Sequence, residues 1–484
     1  MTSEQRRWFV LAPIDRLMLG LIGISTVVFT YLACLQYHNF STQTHEITYY
    51  SYAMEHTTWE HFMPLYFMKG SLVGGHPDFT FWLLMPLYWM IPSVEMLFFF
   101  QSLILSVSAW PLYLLLKSKT KDPLAAFLFS AAYLFFPPVV SQHLNQIHDD
   151  QFANIWLLFA TYFFVLKDFR KFVVPLILIC FTKEYFALTA AMFGIWGLVE
   201  RRQWKWVLVP LVFGFTYFVV VSKFVMPWAG GNTVLRYASL DYLDAYGKTP
   251  HEIFSTMLAN PSLVLRNTFS PQKLQYLFKV FGPVLLILPF LSPAVVLCLP
   301  NLGMNLVGTN SAFIVIPWHY SVFLGGAIFV AIACGLPTAI RGAKGLLGMT
   351  VKARTLGWLV LALNLLCIPM WLDTAAFNPS PQRDVFQRVI DMVPHEASIV
   401  CPSAMLAHFS NYQGVNSLYS LLIFSKAPER LLEYDYIMLD GNLRSYEVIP
   451  QSQFVQLYNQ NPQLQQKFRV VMNEQNVVLL HQVK

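Results

Sequence analysis

The residues best suited to acid–base or metal chemistry lie in one polar stretch, residues 38–78, between two strongly apolar segments. The stretch is too polar to be a span and longer than an ordinary turn. It holds four carboxylates and four histidines, which are Glu46, Glu55, Glu60, Asp78, His45, His56, His61 and His76. Carboxylates and imidazoles exchange protons or bind metal ions. We interpret this loop as a site; the alternative is a solvated loop with a surface helix.

Further polar groups interrupt apolar sequence along the chain. The segment SQHLNQIHDD (141–150) precedes an apolar run, and Lys183-Glu184 divides the apolar block 172–199. A Lys-Glu pair inside an apolar block is costly unless it is paired or functional. Its other interpretation is an anchor in which the two residues pair with each other.

Two more loops carry candidate residues, Arg236 in the polar segment 228–274 and His319-Tyr320 before a late apolar block. The alternatives for the histidines are structural. His148 could be a cap or turn residue, and His319 could be a packed interfacial histidine.

Composition indicates an integral membrane protein. The 484 residues are 56% hydrophobic and 12% charged, with a mean hydropathy of +0.49, whereas soluble domains carry about 25% charged residues. The net charge of +6 does not indicate a nucleic-acid partner, because basic residues cluster in short loops beside apolar runs. The six cysteines show no metal-binding spacing, so neither a zinc site nor a disulfide framework is expected.

The basic loops predict the orientation in the membrane. Lys and Arg cluster at the N-terminus and at 117–121, 167–171, 201–205 and 341–354, which positions these loops in the cytoplasm. We therefore predict a cytoplasmic N-terminus and an outward-facing first loop. The fold class expected is an α-helical polytopic membrane protein with about 11 membrane helices, some short, and interfacial helices in the first outer loop.

Because loops alternate between the two sides of the membrane, the same orientation places the candidate residues on one side. The block 172–199 must enter the membrane and return, with Lys183-Glu184 at its apex, and segment 79–90 is too short to cross comfortably. The first loop, the 141–150 turn and the His319 loop then all face the outside. We expect these polar groups to line one outward-facing cavity.

The last part of the chain changes character. We predict a transmembrane domain over 1–373 and a small extracytoplasmic α/β domain over 374–484. DVFQRVIDMV and SQFVQLYNQNPQLQQKF predict helices, ASIVCP and YDYIMLD predict strands, and FRVVMNEQNVVLLHQ predicts a hairpin. Glycine-rich phosphate loops, nucleophile elbows and EF-hands are not found in the sequence.

Five short motifs in order carry a resemblance to a known family over roughly residues 40–340. They are Glu46 with Tyr50, HPDFTFWLLMPLY from His76 to Tyr88, the NQIHDD segment ending at Asp150, Lys183-Glu184-Tyr185, and His319-Tyr320. Together they resemble a bacterial family of predicted membrane proteins, domain of unknown function 2079, which is grouped with the GT-C glycosyltransferases. The resemblance implies a membrane enzyme of the bacterial inner membrane that uses a polyprenyl-phosphate sugar.

The resemblance also implies roles for single residues. Glu46 is expected to deprotonate the acceptor hydroxyl, with Asp78 as second choice. Lys183 is expected to contact the donor phosphate. Glu184 is expected to orient the Lys183 side chain. The further substrate-binding candidates are His76, His148, Asp150, Arg236, His319 and Tyr320. The expected partners are the lipid-linked donor and membrane lipid, and no nucleic acid.

Two alternatives to an enzyme remain open, and so does the presence of a metal ion. Interrupted helices with buried charge are also found in transporters, so a transporter or flippase of a lipid-linked or envelope precursor is the second hypothesis. A structural membrane protein with a sensing outer domain is the third. The sequence implies no certain cofactor. A divalent metal bound between Glu46, Asp149 and Asp150 would fit the preference of hard cations for carboxylates.

Overall fold

The computed structural model describes residues 11–42, 46–66, 70–145, 147–230, 243–424, 427–441 and 451–483. Helices dominate the described chain up to Cys367. They are α1 Pro13–His38, α2 Glu46–Glu55, α3 Phe79–Met90, α4 Val94–Val107, α5 Ala109–Thr120, α6 Pro123–Leu134, α7 Pro137–Leu144, α8 Asp149–Val165, α9 Phe169–Thr182, α10 Phe186–Val199, α11 Trp204–Val220, α12 Met226–Ala229, α13 Pro250–Ala259, α14 Pro261–Thr268, α15 Pro271–Phe281, α16 Leu299–Val307, α17 Val322–Leu347 and α18 Ala353–Cys367.

Several helices are long and apolar enough to cross a membrane. Among the described residues there are five by length and composition, namely Pro13–His38, Val94–Thr120, Trp204–Ala229, His319–Gly345 and Ala353–Met370. The pair α6 and α7, bent by 49° at the two residues between them, makes a sixth if it is one broken span. The chain is therefore a multi-pass membrane protein. Our count of about 11 spans is not confirmed and stays a prediction.

The helix breaks that bring polar residues into the interior of the protein occur at a proline and at a charged pair. Pro137 begins α7 after a break, since a proline ring suits the first helical turn but not a helix interior. As predicted, the apolar block 172–199 divides at Lys183-Glu184, between α9 and α10. Segment 79–90 forms the short helix α3, as its length suggested. These breaks leave loop backbone and polar side chains near the ends of α7, α9 and α3.

A small mixed sheet follows the last long helix. Its elements are α19 Arg383–Met392, β1 Ser398–Cys401, β2 Gly414–Ser417, β3 Tyr436–Asp440, α20 Gln451–Gln460, α21 Pro462–Lys467, β4 Phe468–Glu474 and β5 Val477–Gln482. The strand order is β2-β1-β3-β5-β4, with β1 parallel to β2 and β3, and β5 antiparallel to β3 and β4. The predicted helices, strands and hairpin are thus confirmed, with the hairpin turn at Gln475-Asn476.

The sheet packs against the first polar loop. One buried apolar cluster contains Ile47 and Met54 of α2 together with Met405 and Phe409, which follow β1. The ring of His408 stacks between Tyr37 and Phe40, with ring centroids 4.2 and 4.4 Å apart. A division of the chain at residue 373 stays a prediction, because this cluster includes residues from both sides of it.

Candidate functional site

Lys183 is the centre of a buried group of charged side chains. Its ammonium lies 2.8 Å from Asp149 Oδ1 and 3.0 Å from His148 Nδ1, and it donates a short hydrogen bond to Asp150 Oδ2. The hydroxyl of Tyr185 donates to the other oxygen of Asp150 at 3.0 Å. The lysine side chain is 2% exposed and those of both aspartates are fully buried. Burial of charge on this scale is tolerated only when the charges are paired and hydrogen-bonded.

The backbone separates Lys183 from its neighbour Glu184. Helix α9 ends at Thr182, and Lys183 has an extended conformation (φ −136°, ψ 147°). Successive side chains of an extended backbone point in opposite directions. Glu184 accordingly lies on the other side, where its Oε2 is 2.9 Å from Nδ1 of His76. The two aspartates contact the lysine, whereas Glu184 contacts His76. Our expectation that Glu184 orients Lys183 stays a prediction.

Two histidines from distant loops stack beside this group. The rings of His148 and His319 are parallel within 8°, with centroids 3.5 Å apart. Burial and Lys183 lower the pKa of His148, but Asp149 and Asp150 outweigh them and raise it to about 9. His148 is therefore expected to carry its proton at neutral pH.

Glu46, the first residue of α2, lies at the rim of this site. Its Oε1 is 3.8 Å from Nδ1 of His319, too far for a hydrogen bond. The carboxylate side chain is 18% exposed, whereas the histidine side chain is 6% exposed. Glu46 is thus more accessible to solvent or to a ligand than the buried residues behind it.

Asp78 is buried deeper, just before α3. It has a left-handed backbone conformation (φ 46°), which is uncommon outside glycine and occurs at constrained positions. Burial, followed by the charge of Asp149 and a hydrogen bond with it, holds the pKa of Asp78 well above its usual range. We therefore expect Asp78 to be a neutral acid that keeps its proton and donates a hydrogen bond to the Asp149 carboxylate.

Amide side chains hold the loops of the site together. Asn145 donates to the carbonyl of Pro317 at 2.6 Å, and Asn154 donates to the carbonyl of Val322 at 2.9 Å. These bonds join the chain around His148 to the chain around His319. From α4, Gln101 donates to carbonyls at the end of α7 at 2.7–2.9 Å. Hydrogen bonds of this kind support the positions of side chains that ordinary loops would leave variable.

The structure brings most of the candidates from the sequence into one group. These are Glu46, His76, Asp78, His148, Asp150, Lys183, Glu184 and His319. The ring of Tyr320 is adjacent, 4.0 Å from that of His319. Arg236 lies outside the described residues. The roles assigned to these side chains stay predictions.

Sequence reasoning gave too little weight to Asp149 and Tyr185, and left Tyr50 without a role. Asp149 contacts both Lys183 and His148, although it was considered only as a metal ligand. Tyr50 stacks on Phe81 and lies nearly perpendicular to the ring of His148, with ring centroids 3.8 and 6.2 Å apart. For Asp149, the signal in the sequence was the consecutive pair Asp149-Asp150 at the start of a helix, since carboxylates suit helix N-termini.

Two groups of side chains have donor atoms close enough together to hold a metal ion, although Lys183 already contacts all three residues of the second group. The groups are Glu46 with His148 and His319, and His148 with Asp149 and Asp150; in each, one ligand atom per residue lies within 4.8 Å of the others. Nδ1 of His319 and Oδ2 of Asp149 are buried and make no hydrogen bond within the described chain. Mixed nitrogen and oxygen donors suit divalent transition metals. Binding one there would require His148 to lose its proton.

Comparison with solved structures identifies the fold. ArnT from Cupriavidus metallidurans in the apo state has a TM-score of 0.56 and 10% identity, covering 94% of this chain and 97% of that chain. The same protein bound to undecaprenyl phosphate has a TM-score of 0.51 and 12% identity, covering 94% and 98%. The oligosaccharyltransferase of Archaeoglobus fulgidus, in complex with Zn and sulfate, gives a TM-score of 0.41 and 13% identity, covering 87% and 68%. The chain therefore has an ArnT-like fold.

Sequence comparisons give the family. A comparison with curated proteins finds no significant match. The family model of predicted membrane proteins DUF2079 matches residues 40–479. This match spans nearly all of the chain, including the first polar loop, the buried charged group and the sheet. The chain therefore belongs to the DUF2079 family of predicted membrane proteins.

Proposed function

We propose that the protein is a glycosyltransferase of the bacterial inner membrane. It transfers a sugar from a polyprenyl-phosphate donor to an acceptor hydroxyl on the outer face. The observation that carries this proposal is the accessible carboxylate of Glu46 beside the buried group around Lys183. The ArnT-like fold adds support, because one ArnT structure contains undecaprenyl phosphate.

The proposed reaction needs one base and one leaving group. The acceptor oxygen attacks the anomeric carbon and forms the new glycosidic bond, while the bond from that carbon to the phosphate oxygen breaks. The electron pair of the broken bond leaves with polyprenyl phosphate. Glu46 takes the acceptor proton, because its carboxylate is accessible. Asp78 is less suited as a base, because burial and Asp149 favour its protonated form.

The phosphate side of the reaction needs positive charge or hydrogen-bond donors. Lys183 is already surrounded by two carboxylates and is 2% exposed, so we assign it to holding Asp149 and Asp150 in position. His76 is the better phosphate contact: its side chain is 23% exposed, and Glu184 engages only its Nδ1. Its Nε2 edge can then donate to a phosphate oxygen when the ring is protonated.

A divalent cation bound by Glu46, His148 and His319 would supply a positive charge to the departing phosphate. The protein's own residues would hold it by the atoms that lie within 4.8 Å of one another. A metal there would compete with the role of Glu46 as base, since one carboxylate oxygen would be engaged.

The test uses full-length protein in nanodiscs, presented with a panel of polyprenyl-phosphate sugars. Release of polyprenyl phosphate is measured for wild type, Glu46→Gln and the control Glu60→Gln. Glu60 is an exposed carboxylate of the same loop. We expect Glu46→Gln to lower turnover by roughly 10²–10⁴-fold, the usual contribution of a positioned base, with donor binding retained and Glu60→Gln unchanged.

Two outcomes would refute the proposal. Full turnover by Glu46→Gln would exclude Glu46 as the base. Counterflow of a lipid-linked sugar in liposomes, without any release of polyprenyl phosphate, would favour the flippase hypothesis instead.

A further inference from the structure

Lys223 lies in an unusual position for a lysine. It is an exposed residue of the candidate span Trp204–Ala229, whose most apolar stretch is only 22% buried. The part of the chain that the structure describes gives it no hydrogen bond and no ion pair. A lysine on the lipid-facing surface of a span is rare and costly unless its ammonium reaches polar surroundings.

The backbone changes at this residue. Residues Val221–Val225 form a π-helical turn between α11 and α12. Such turns insert an extra residue into an otherwise α-helical span and are found frequently at functional sites. Lys223 therefore lies where the helix departs from regular α-helical geometry.

The depth of Lys223 matches that of lipid phosphates. Lys205, near the other end of the same helix, and Lys223 are separated by about 27 Å at a rise of ~1.5 Å per residue, close to the ~30 Å hydrocarbon thickness. Lys205 is exposed and lies over the ring of Phe169. Trp228, 82% exposed, follows Lys223 by little more than a turn, and exposed tryptophans are typical of the headgroup level.

Lys223 is also on the same side of the membrane as the candidate site. The carbonyl of Ala229, at the end of its helix, accepts a hydrogen bond from the amide of Ser71 at 3.1 Å. Ser71 precedes His76, which pairs with Glu184 at the site. Nearer the middle of the span, Tyr217 stacks on Phe181, two residues before Lys183, with ring centroids 5.6 Å apart. The helix that carries Lys223 thus borders the site.

We propose that Lys223 binds the phosphate of an anionic lipid at the outer membrane surface. The ligand is a lipid phosphate monoester of the polyprenyl-phosphate class, the product that the proposed reaction releases, and it leaves the site along this helix. A protein partner is less suited, because the exposed Phe224 and Trp228 beside the lysine lie at lipid depth. The choice of lipid deepens the proposed function and rests on it.

The experiment measures binding, not turnover. Full-length protein is placed in nanodiscs of zwitterionic lipid, and a short-chain polyprenyl phosphate is titrated by native mass spectrometry. The variants are Lys223→Gln, Lys223→Arg and the matched control Lys205→Gln. We expect Lys223→Gln to raise Kd by roughly tenfold or more, as for loss of a hydrogen bond to a charged group. Lys223→Arg should keep most of the affinity, and Lys205→Gln all of it.

Further arms distinguish the sources of the phosphate. Phosphatidylglycerol should compete weakly and inorganic phosphate should not compete, because neither offers a phosphate monoester at membrane depth. Equal displacement by phosphatidylglycerol, or displacement by free phosphate, would overturn the assignment of the ligand. A Lys223→Gln affinity within twofold of wild type, or an equal loss in Lys205→Gln, would overturn the site itself.

The failures of the two proposals can be told apart. If wild type binds polyprenyl phosphate through Lys223 but releases none from any donor, the glycosyltransferase proposal fails and the lipid site stands. If wild type turns over donor and Lys223→Gln binds the lipid normally, the lipid site fails and the enzyme proposal stands.

Discussion

Replacement of Lys183 by methionine should destabilise the protein strongly. The ammonium contacts Asp149 at 2.8 Å and bonds to Asp150, and these aspartate side chains are fully buried. Methionine keeps most of the length of the side chain but removes the ammonium, so the two carboxylates keep only the protonated ring of His148 beside them. Breaking a buried ion pair by removing one partner costs about 3–5 kcal/mol. We expect a loss of this order.

The assay compares the stability of matched variants in mixed micelles. Lys171→Met is the control, because Lys171 pairs with Asp168 at 3.1 Å but is 67% exposed. Exposed pairs of this kind contribute about 0–1 kcal/mol. The double variant Lys183→Met with Asp150→Asn should recover part of the loss, since it removes one of the two carboxylate charges.

Two results would refute this reasoning. Lys183→Met could prove as stable as Lys171→Met, which would mean that the buried group tolerates the loss of its cation. Alternatively, Asp150→Asn could lower the free energy of unfolding by as much in the Lys183→Met protein as it does in the wild-type protein. Either result would show that Lys183 and Asp150 do not stabilise each other.

Two more predictions concern the first loop and the orientation. Burial holds the pKa of Glu55 above 4.5 despite a hydrogen bond from Tyr88, so wild-type stability should fall as pH rises from 4.5 through the raised value. Glu55→Gln should flatten this slope; equal slopes in pH-dependent unfolding would contradict the assignment. The basic loops predict an extracytoplasmic C-terminus, so alkaline phosphatase fused after Lys484 should be active, whereas activity only of a cytoplasmic reporter would reverse the orientation.

Much of the site could be predicted because burying charge is costly. A Lys-Glu pair inside an apolar block, a polar turn ending in Asp149-Asp150 and a His-Tyr pair before a late span each violate the local apolar pattern. Such violations occur where side chains are paired or functional. Membrane topology then limits how far apart the resulting polar groups can lie. The convergence of these groups followed from the pattern without knowledge of any contact.

The pairing within the site could not be predicted. Sequence adjacency suggested that Lys183 and Glu184 belong together, but the extended backbone at the end of α9 directs them to different partners. The stacking of His148 on His319 depends on loops far apart in the chain and on the amide bonds that join them. Tertiary contacts of this kind leave no periodic signal in the sequence. The number of spans could not be predicted either, because the sequence does not show how deep a bent or short helix lies in the membrane.

The sheet at the end of the chain bears on the position of Glu46. Helix α2, which begins at Glu46, buries Ile47 and Met54 in a cluster shared with Met405 and Phe409. Another contact joins the end of this helix to the same region, where Nε2 of His56 lies 3.2 Å from the carbonyl oxygen of Tyr412. A short helix of this length is marginal alone and depends on packing for its stability. The sheet is therefore part of what holds the proposed base at the rim of the site, although it contributes no residue to the charged group.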